Sequence, residues 1–203
     1  MCFREQSAGE IRARFRADLS GGRTLRFPGA FSPMVAMLIE DLGFDGVYIS
    51  GSVVSADLGM PDIGLTTLSE VSQRGRAISR VTSLPSIVDI DTGFGEPMNV
   101  ARTVEEIEEL GLAGCHIEDQ VFPKRCGHLD GKEIVDVREM QGKVRIAAEA
   151  KRDPNFILIT RTDSRSVEGL DKAIDRAKAY VDAGANMIFP EAMVDAKEFE
   201  TFR

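Results

Sequence analysis

The sequence predicts an α/β fold of the (β/α)8 barrel type, in which parallel strands form a ring that is covered by helices. A helix, a glycine and an apolar strand follow one another three times, around Gly43, Gly111 and Gly184. These strands are apolar almost without interruption, as in parallel sheets that are buried on both faces. The repeated unit therefore favours a parallel sheet with helices packed around it.

Polar residues stand at the ends of these strands. Ser50, Glu118 and Glu191 each lie seven residues after one of the three glycines and close an apolar run. A barrel carries its active site at the C-terminal ends of its strands, so this pattern favours the barrel. A doubly wound open sheet is the alternative, because it also binds ligands at strand ends.

The other elements follow from apolar periodicity. Residues 1–20 are expected to form a helical arm with Ile11, Phe15 and Leu19 on one face. A helix is expected to begin at Ser32, a capping residue that is followed by proline. Strands are predicted at 25–31, 45–50, 86–91, 114–118, 156–161 and 186–191. Helical stripes are predicted at Val100, Val104 and Ile107, and at Leu170, Ile174, Ala177 and Val181.

Six strands are two short of a closed barrel, which typically takes about 250 residues. Residues 1–203 are therefore expected to form a single barrel domain that lacks its C-terminal strands and helices. The natural protein is expected to be longer.

The amino-acid composition argues against two kinds of binding partner, nucleic acids and membranes. Lys and Arg number 25 against 33 Asp and Glu, which gives a net charge of -8 and argues against nucleic-acid binding. No apolar run reaches the roughly 20 residues of a membrane helix, and no membrane partner is predicted. Three cysteines without metal-ligand spacing indicate a reducing compartment, and the cytoplasm is the predicted location.

A polar segment at 119–133 is too rich in Pro and Gly to form a helix or strand. Long connections of this kind in compact domains usually bind or cover something. Its centre holds a thiol, Cys126, beside Lys124 and Arg125, whose positive charges favour a reactive thiolate. Gly127 allows close approach of the backbone to a ligand, and His128 offers an imidazole. The segment is interpreted as a reactive loop.

Two carboxylates, Asp89 and Asp91, lie two positions apart on one predicted strand and point to the same side. Inward carboxylates repel one another unless a cation or proton lies between them. Oxygen ligands suit Mg²⁺, which keeps water and substrate oxygens as its other ligands, and Glu118 could hold one of those waters. A solvated pair of acids is the alternative.

Other inward residues could contact a substrate. Tyr48 shares its register with Ser50, where the backbone N–H groups of 50–52 suit a carboxylate, although Tyr48 could also be a buried hydroxyl near the core. Arg161 could hold a substrate carboxylate or an enolate oxygen, or form a structural ion pair with Glu191 or Glu118. His116 is interpreted as a hydrogen-bonded core histidine.

The segment 124–128, Lys-Arg-Cys-Gly-His, resembles the signature of the isocitrate lyase and phosphoenolpyruvate mutase superfamily. The resemblance runs from about Phe15 through most of the chain and is strongest to the methylisocitrate lyase branch. It is carried by residues 48–51, 59–64, 89–95, 99–104, 116–120, 161–163 and 189–192. The fold that it implies is the TIM-type barrel of this superfamily.

The resemblance also implies a reaction, the Mg²⁺-dependent cleavage of 2-methylisocitrate to pyruvate and succinate in propionate catabolism by the methylcitrate cycle. Mn²⁺ is the other metal considered. Asp89 and Asp91 would hold the ion, with Asp62 and Glu118 acting through its waters. The partner would be a small tricarboxylate, and the protein would form a homotetramer that exchanges C-terminal helices.

The catalytic residues that the resemblance implies are Tyr48 as base, Cys126 as proton donor, and Arg161. The predicted substrate-binding residues are Ser50, Gly51, Ser52, Cys126, Gly127, His128, Arg161 and Glu191. Ser52 departs from the family pattern, because many members have a second glycine there.

Three alternatives stay open. The enzyme could cleave isocitrate or a substituted malate, since one methyl group is worth only about 1–3 kcal/mol of discrimination. It could be a phosphonopyruvate-type mutase, although Cys126, Gly127 and His128 favour a lyase. It could also be a non-catalytic truncated subunit that assembles with full-length partners.

Overall fold

A computed structural model describes residues 4–203 of the chain. Five strands form one sheet in the order of the sequence, and every neighbouring pair is parallel. They are β1 (Val47–Ile49), β2 (Ser86–Asp89), β3 (Gly114–Glu118), β4 (Ile157–Thr162) and β5 (Met187–Pro190). A parallel sheet in sequential order is the wall of a (β/α) barrel rather than a doubly wound sheet, whose order reverses at a switch point.

The segment predicted as a first strand, 25–31, contributes a single bridge instead. Gly29 pairs with Tyr48 in parallel, and Pro28 accepts a hydrogen bond from the Tyr48 amide at 2.9 Å. Proline has no N–H to donate, so the ladder with β1 cannot continue regularly past Pro28. The segment lies beside β1 without forming a full strand.

Nine helices occur in residues 4–203, and most begin at a capping residue. Ser32, Thr67, Asp136 and Asp195 each accept a hydrogen bond from the first turn of the following helix. The helices are α1 (Ala8–Ser20), α2 (Pro33–Asp41), α3 (Gly51–Asp57), α4 (Leu68–Ser79), α5 (Pro97–Glu109), α6 (Val137–Ala150), α7 (Ser164–Glu168), α8 (Leu170–Asp182) and α9 (Ala196–Phe202). None is long and apolar enough to cross a membrane among the residues described.

Two apolar clusters hold the sheet. The larger one lies between the sheet and the helices and includes Val88 and Ile90 beside the predicted stripe of α5. The smaller one contains Ile87 and Ile159 on the opposite face of the sheet, and Phe15 of α1 packs there at 1 % exposure. Helix α1 therefore packs against the inner face of the barrel wall through Phe15, and residues 1–3 of the predicted arm lie outside the described residues. The extent of the domain over residues 1–203 stays a prediction.

The apolar stripe predicted for α8 is correct at Ala177, which is buried, and wrong at Val181. Val181 is 52 % exposed and Ile174 is half-buried, whereas Ala173, Arg176 and Tyr180 face inward. Arg176 and Tyr180 are buried because they have polar partners, among them the Val135 carbonyl and the Asp119 carboxylate. Hydrophobic periodicity cannot detect an inward face that is built from hydrogen-bonded polar side chains.

Replacement of Asp119 by alanine is expected to lower the free energy of unfolding by about 3–5 kcal/mol. Asp119 is fully buried and accepts hydrogen bonds from Thr162 Oγ1 at 2.7 Å, the Asp163 amide at 2.9 Å and Tyr180 Oη at 2.8 Å. Alanine would leave the Asp163 amide and the Tyr180 hydroxyl without this acceptor, and it would remove the buried charge that lies 3.7 Å from Arg176 Nη1. Urea denaturation measures the change. The exposed Asp182→Ala on α8 is the control, expected within about 0.5 kcal/mol of the unaltered protein. A loss below about 1 kcal/mol for Asp119→Ala would show that the network is not structural.

Candidate active site

Acidic side chains gather at the C-terminal end of β2. Asp89 ends the strand at 4 % exposure, and Asp91 follows at 5 % exposure with a positive φ of 46°. Asp89 accepts hydrogen bonds from the Gly51 amide at 3.0 Å and from the Asp91 amide at 2.9 Å. Thr66 Oγ1 donates to the Asp91 carboxylate at 3.3 Å. The predicted pair of inward carboxylates thus lies together and buried.

Gly51 makes room for this pair. A Cβ on Gly51 would lie 2.9 Å from Asp89 Oδ2 and 3.2 Å from Asp91 Oδ1. The sequence predicts that the N–H groups of 50–52 bind a substrate carboxylate, but the Gly51 N–H donates to Asp89 instead. Ser50 and Ser52 flank Gly51 at the start of α3 and are half-buried.

Lys124 lies in the acidic cluster, whereas the sequence predicts that it acts on the Cys126 thiol. Its ammonium forms ion pairs with Asp62 and with Asp91 Oδ1, the latter at 2.8 Å, and its side chain is 3 % exposed. Burial acts to lower the pKa of Lys124, but Asp91 and the other carboxylates outweigh it and raise the pKa above its ordinary value. Its positive charge is therefore committed to the acidic cluster and not to the Cys126 thiol.

The carboxylates of the cluster differ in their affinity for protons. Burial, followed by repulsion from Asp89, raises the pKa of Asp91 to about 6. Burial also raises the pKa of Glu118 well above its usual range. Burial acts in the same direction on Asp89, but the positive charges around it, Lys124 and Arg161 among them, lower its pKa. Negative charge that is crowded and incompletely neutralised is what a bound cation stabilises.

These residues fit a hard divalent cation. Asp91 Oδ1 and both carboxylate oxygens of Glu118 are buried, and their partners within residues 4–203 are cations rather than hydrogen-bond donors of ideal geometry: Lys124 lies 2.8 Å from Asp91 Oδ1, and Arg161 lies 3.3 Å from Glu118 Oε2. No group of three or more Asp, Glu, His or Cys side chains forms a ready-made metal site within residues 4–203. Mg²⁺ does not require one, because it commonly takes one or two carboxylates and keeps several waters.

Arg161, near the end of β4, lies among three carboxylates. Its guanidinium approaches Glu118 at 3.3 Å and Glu191 at 3.5 Å, and it donates two hydrogen bonds to Asp163 at 3.0 Å each. The ion pairs considered for Arg161 from sequence are thus present with both Glu118 and Glu191. Its third carboxylate partner, Asp163, was not identified from sequence.

Tyr48 and His116 form a hydrogen-bonded pair inside the barrel wall. Tyr48 Oη lies 2.7 Å from His116 Nε2, which is itself 3.7 Å from Asp89 Oδ1. Burial raises the pKa of Tyr48 above its ordinary value, and burial lowers the pKa of His116. The predicted hydrogen bond of His116 exists, but its partner makes it part of the site. Strand alternation contained this signal, since His116 shares the side of Glu118.

The reactive loop closes over Arg161 and Glu191 through Gly127. A Cβ on Gly127 would collide with the Arg161 guanidinium and would lie 2.7 Å from Glu191 Cδ. Cys126, just before it, is half-buried and carries a free thiol. Lys132 donates to the Gly127 carbonyl at 2.5 Å, a contact that sequence reasoning missed.

His128 does not join this cluster. It is exposed, and no hydrogen bond or ion pair links it to the other predicted site residues in the described part of the chain. It lines a cavity of about 470 Å³ together with Gly127 and Ala192. The structure therefore places it at the rim of the candidate site.

The family follows from a comparison with known proteins. Residues 15–203 match the family model described as phosphoenolpyruvate phosphomutase. The chain belongs to the phosphoenolpyruvate mutase and isocitrate lyase superfamily. A solved 2,3-dimethylmalate lyase of this superfamily is 33% identical with a TM-score of 0.90, over 98% of this chain and 67% of its own. A phosphonopyruvate hydrolase, solved in complex with oxalate and Mg²⁺, is 34% identical with a TM-score of 0.87, over 97% of this chain and 68% of its own. The predicted fold class is confirmed.

Curated relatives point to one branch of the superfamily. A probable 2-methylisocitrate lyase of Corynebacterium glutamicum is 58% identical over 96% of this chain and 64% of its own length. A 2-methylisocitrate lyase of Aeropyrum pernix is 50% identical over 86% of this chain and 56% of its own. The predicted resemblance to this branch is confirmed. The chain spans less than two thirds of the length of these relatives.

Proposed function

We propose that the protein containing this chain is a metal-dependent carbon–carbon lyase that cleaves 2-methylisocitrate to pyruvate and succinate. The observation that carries the proposal is the placement of Gly127 on Arg161 and Glu191, which brings the Cys126 loop to the acidic cluster of Asp89 and Asp91. The names of the curated relatives support this substrate.

The proposed cofactor is Mg²⁺, with Mn²⁺ as the alternative. Asp89 and Asp91 would hold the ion, and Asp62 and Glu118 would contact it through water. When bound, it supplies Lewis-acid polarisation of a substrate carboxylate and the neighbouring hydroxyl. The related phosphonopyruvate hydrolase that was solved with Mg²⁺ supports this assignment.

Tyr48 removes the proton from the substrate hydroxyl in this proposal. Because burial raises the pKa of Tyr48, the phenol stays protonated at neutral pH. It is therefore not already in its basic form when the substrate binds. It can accept the substrate proton while it passes its own proton to His116 Nε2, which lies 2.7 Å away. His116 thereby becomes the final acceptor, and the positive charge that it gains lies 3.7 Å from the Asp89 carboxylate.

Carbon–carbon cleavage then turns the hydroxyl carbon into the keto carbon of pyruvate and leaves the electron pair on the succinate fragment. Arg161 would hold a carboxylate of the substrate and offset the charge that develops there. The Cys126 thiol would donate the proton that completes succinate. Ser50, Gly51, Ser52, Gly127, His128 and Glu191 complete the proposed substrate-binding set.

A lyase assay on the protein as the cell makes it tests the function. With Mg²⁺, 2-methylisocitrate should yield pyruvate and succinate, and EDTA should abolish the reaction until Mg²⁺ is restored. Glyoxylate from isocitrate as the faster reaction would move the assignment to isocitrate. Dimethylmalate and phosphonopyruvate, supplied in parallel, test the other lyase and the mutase alternatives. A folded, metal-loaded protein that turns over none of these substrates would support the non-catalytic subunit.

Gly51→Ala is expected to weaken metal binding by about 10–100-fold, the usual effect of disturbing a group that orients a metal ligand. The new methyl group would press against Asp89 Oδ2, which the Gly51 amide now orients. Calorimetric titration with Mg²⁺ or Mn²⁺ measures the affinity. Gly142→Ala on α6 is the matched control, because a Cβ there meets no atom within 4 Å. An unchanged affinity in Gly51→Ala would remove Asp89 from the proposed ligand set.

The proposed assembly is a homotetramer, and the proposed location is the cytoplasm. Light scattering of the protein purified at native length tests the assembly. Both stay predictions from the sequence.

A further inference from the structure

Lys132 is a buried cation that the proposed reaction does not use. The residue is 8 % exposed, and its ammonium donates to the Gly127 carbonyl at 2.5 Å and to Asp163 Oδ1 at 3.0 Å. Burial of an ammonium is costly unless it is paired and hydrogen-bonded. Both of its partners lie next to the candidate site, so the buried ammonium connects two parts of that site.

The carboxylate partner of Lys132 is rigidly held. Asp163 is fully buried, accepts two hydrogen bonds from Arg161, and donates its amide to Asp119 Oδ1 at 2.9 Å. One carboxylate therefore binds both the guanidinium of the site and the ammonium of the loop. The positions of Lys132 and Arg161 are therefore coupled through the Asp163 carboxylate that both side chains bind.

The two halves of the loop are attached differently. Gln120 holds the first half through two hydrogen bonds with the backbone of Arg125, at 2.8 and 2.9 Å. The second half begins at Gly127, whose carbonyl is bonded to Lys132. The Leu129 amide closes a turn onto the Cys126 carbonyl at 2.9 Å, but this bond lies within the loop and does not attach it to the barrel.

We propose that Lys132 is a positioning residue that latches the Cys126–Gly127 peptide onto the barrel wall. Without its ammonium, the Gly127 carbonyl loses its link to Asp163, and the packing of Gly127 against Arg161 and Glu191 is then the remaining contact of that peptide with the barrel wall among residues 4–203. The loop then spends more time away from Arg161 and Glu191. The consequence for proton delivery by Cys126 rests on the proposed lyase function, whereas the closure of the loop does not.

Lys132→Met removes the charge and keeps the length of the side chain. The test is the rate at which iodoacetamide modifies Cys126, followed by site-resolved mass spectrometry in a Cys2→Ser background. Cys115 is fully buried and serves as an internal reference for general unfolding. Lys172→Met, at an exposed position on α8, is the matched control.

We expect Cys126 to react at least about 10-fold faster in Lys132→Met, while Cys115 stays as unreactive as in the unaltered protein. We expect kcat for the proposed substrate to fall about 10²-fold, as misplaced catalytic groups cause. Equal rates at Cys126 in both proteins would overturn the latch. Parallel acceleration at Cys115 and Cys126 would overturn it too, because it would show a structural role. If Lys132→Met does not fold, Lys132→Gln replaces it under the same criteria. The alkylation result stands even if no lyase activity is found.

Discussion

Cys126→Ser is expected to lower kcat by about 10²–10⁴-fold, the range that a positioned general acid contributes. A serine hydroxyl is nearly isosteric but a far weaker acid than a thiol, so it could not supply the proton that Cys126 donates to succinate in the proposed mechanism. Binding of the substrate should change little, because Arg161 and the acidic cluster are untouched. The loss therefore falls on kcat and not on KM.

Steady-state kinetics with 2-methylisocitrate and Mg²⁺ measure this loss. Cys126→Ala should be as impaired as Cys126→Ser, since both lack the thiol. Cys115→Ala is the matched control, because burial raises the pKa of the Cys115 thiol to about 12 and keeps it inert. It should keep its kcat with a modest loss of stability. Retention of more than about a tenth of kcat in Cys126→Ser would refute Cys126 as the proton donor.

Asp89→Asn is expected to abolish tight metal binding and to lower kcat/KM by about 10³-fold or more, which corresponds to about 4 kcal/mol. The amide keeps the shape of the carboxylate but removes its charge. Its single carbonyl oxygen can accept only one of the two amides, from Gly51 and Asp91, that bond to separate oxygens of Asp89, so a lower thermal midpoint is expected in a protein that still folds. The change thus separates metal binding from folding.

Titration calorimetry with Mg²⁺ and Mn²⁺ gives the affinity, and the assay is repeated at raised metal concentration. Thermal unfolding checks that Asp89→Asn remains folded. Asp175→Asn, at an exposed position on α8, is the control and should match the unaltered protein in all three measurements. Full affinity in a folded Asp89→Asn would contradict the proposed ligand set, and the search for the ligands would then move to Asp62 and Glu118.

Much of the site was predictable because successive side chains of a strand point to opposite faces of the sheet. The period of two places His116 with Glu118 on the inner face of β3. Asp91 was predicted to join Asp89 in the same way, but it lies beyond the end of β2 and reaches the site with a positive φ of 46°. Strand ends were predicted within one or two residues, since continuous apolar runs have clear limits. The same reasoning failed at 25–31, where Pro28 cannot donate to a regular ladder, and at Val181 of α8, where the polar partners of Arg176 and Tyr180 decide which face is buried.

The sequence alone determined the class of fold, the superfamily, and the identity of the charged residues at the strand ends. Local pattern is sufficient for these, because periodicity and motif spacing are properties of neighbouring residues. Only the tertiary structure decided which charges meet. Lys124 pairs with Asp62 and Asp91, and Lys132 with Asp163 and the Gly127 carbonyl. These partners are up to 62 residues apart in sequence. An ion pair depends on distance and burial in space, and no local pattern carries either of them.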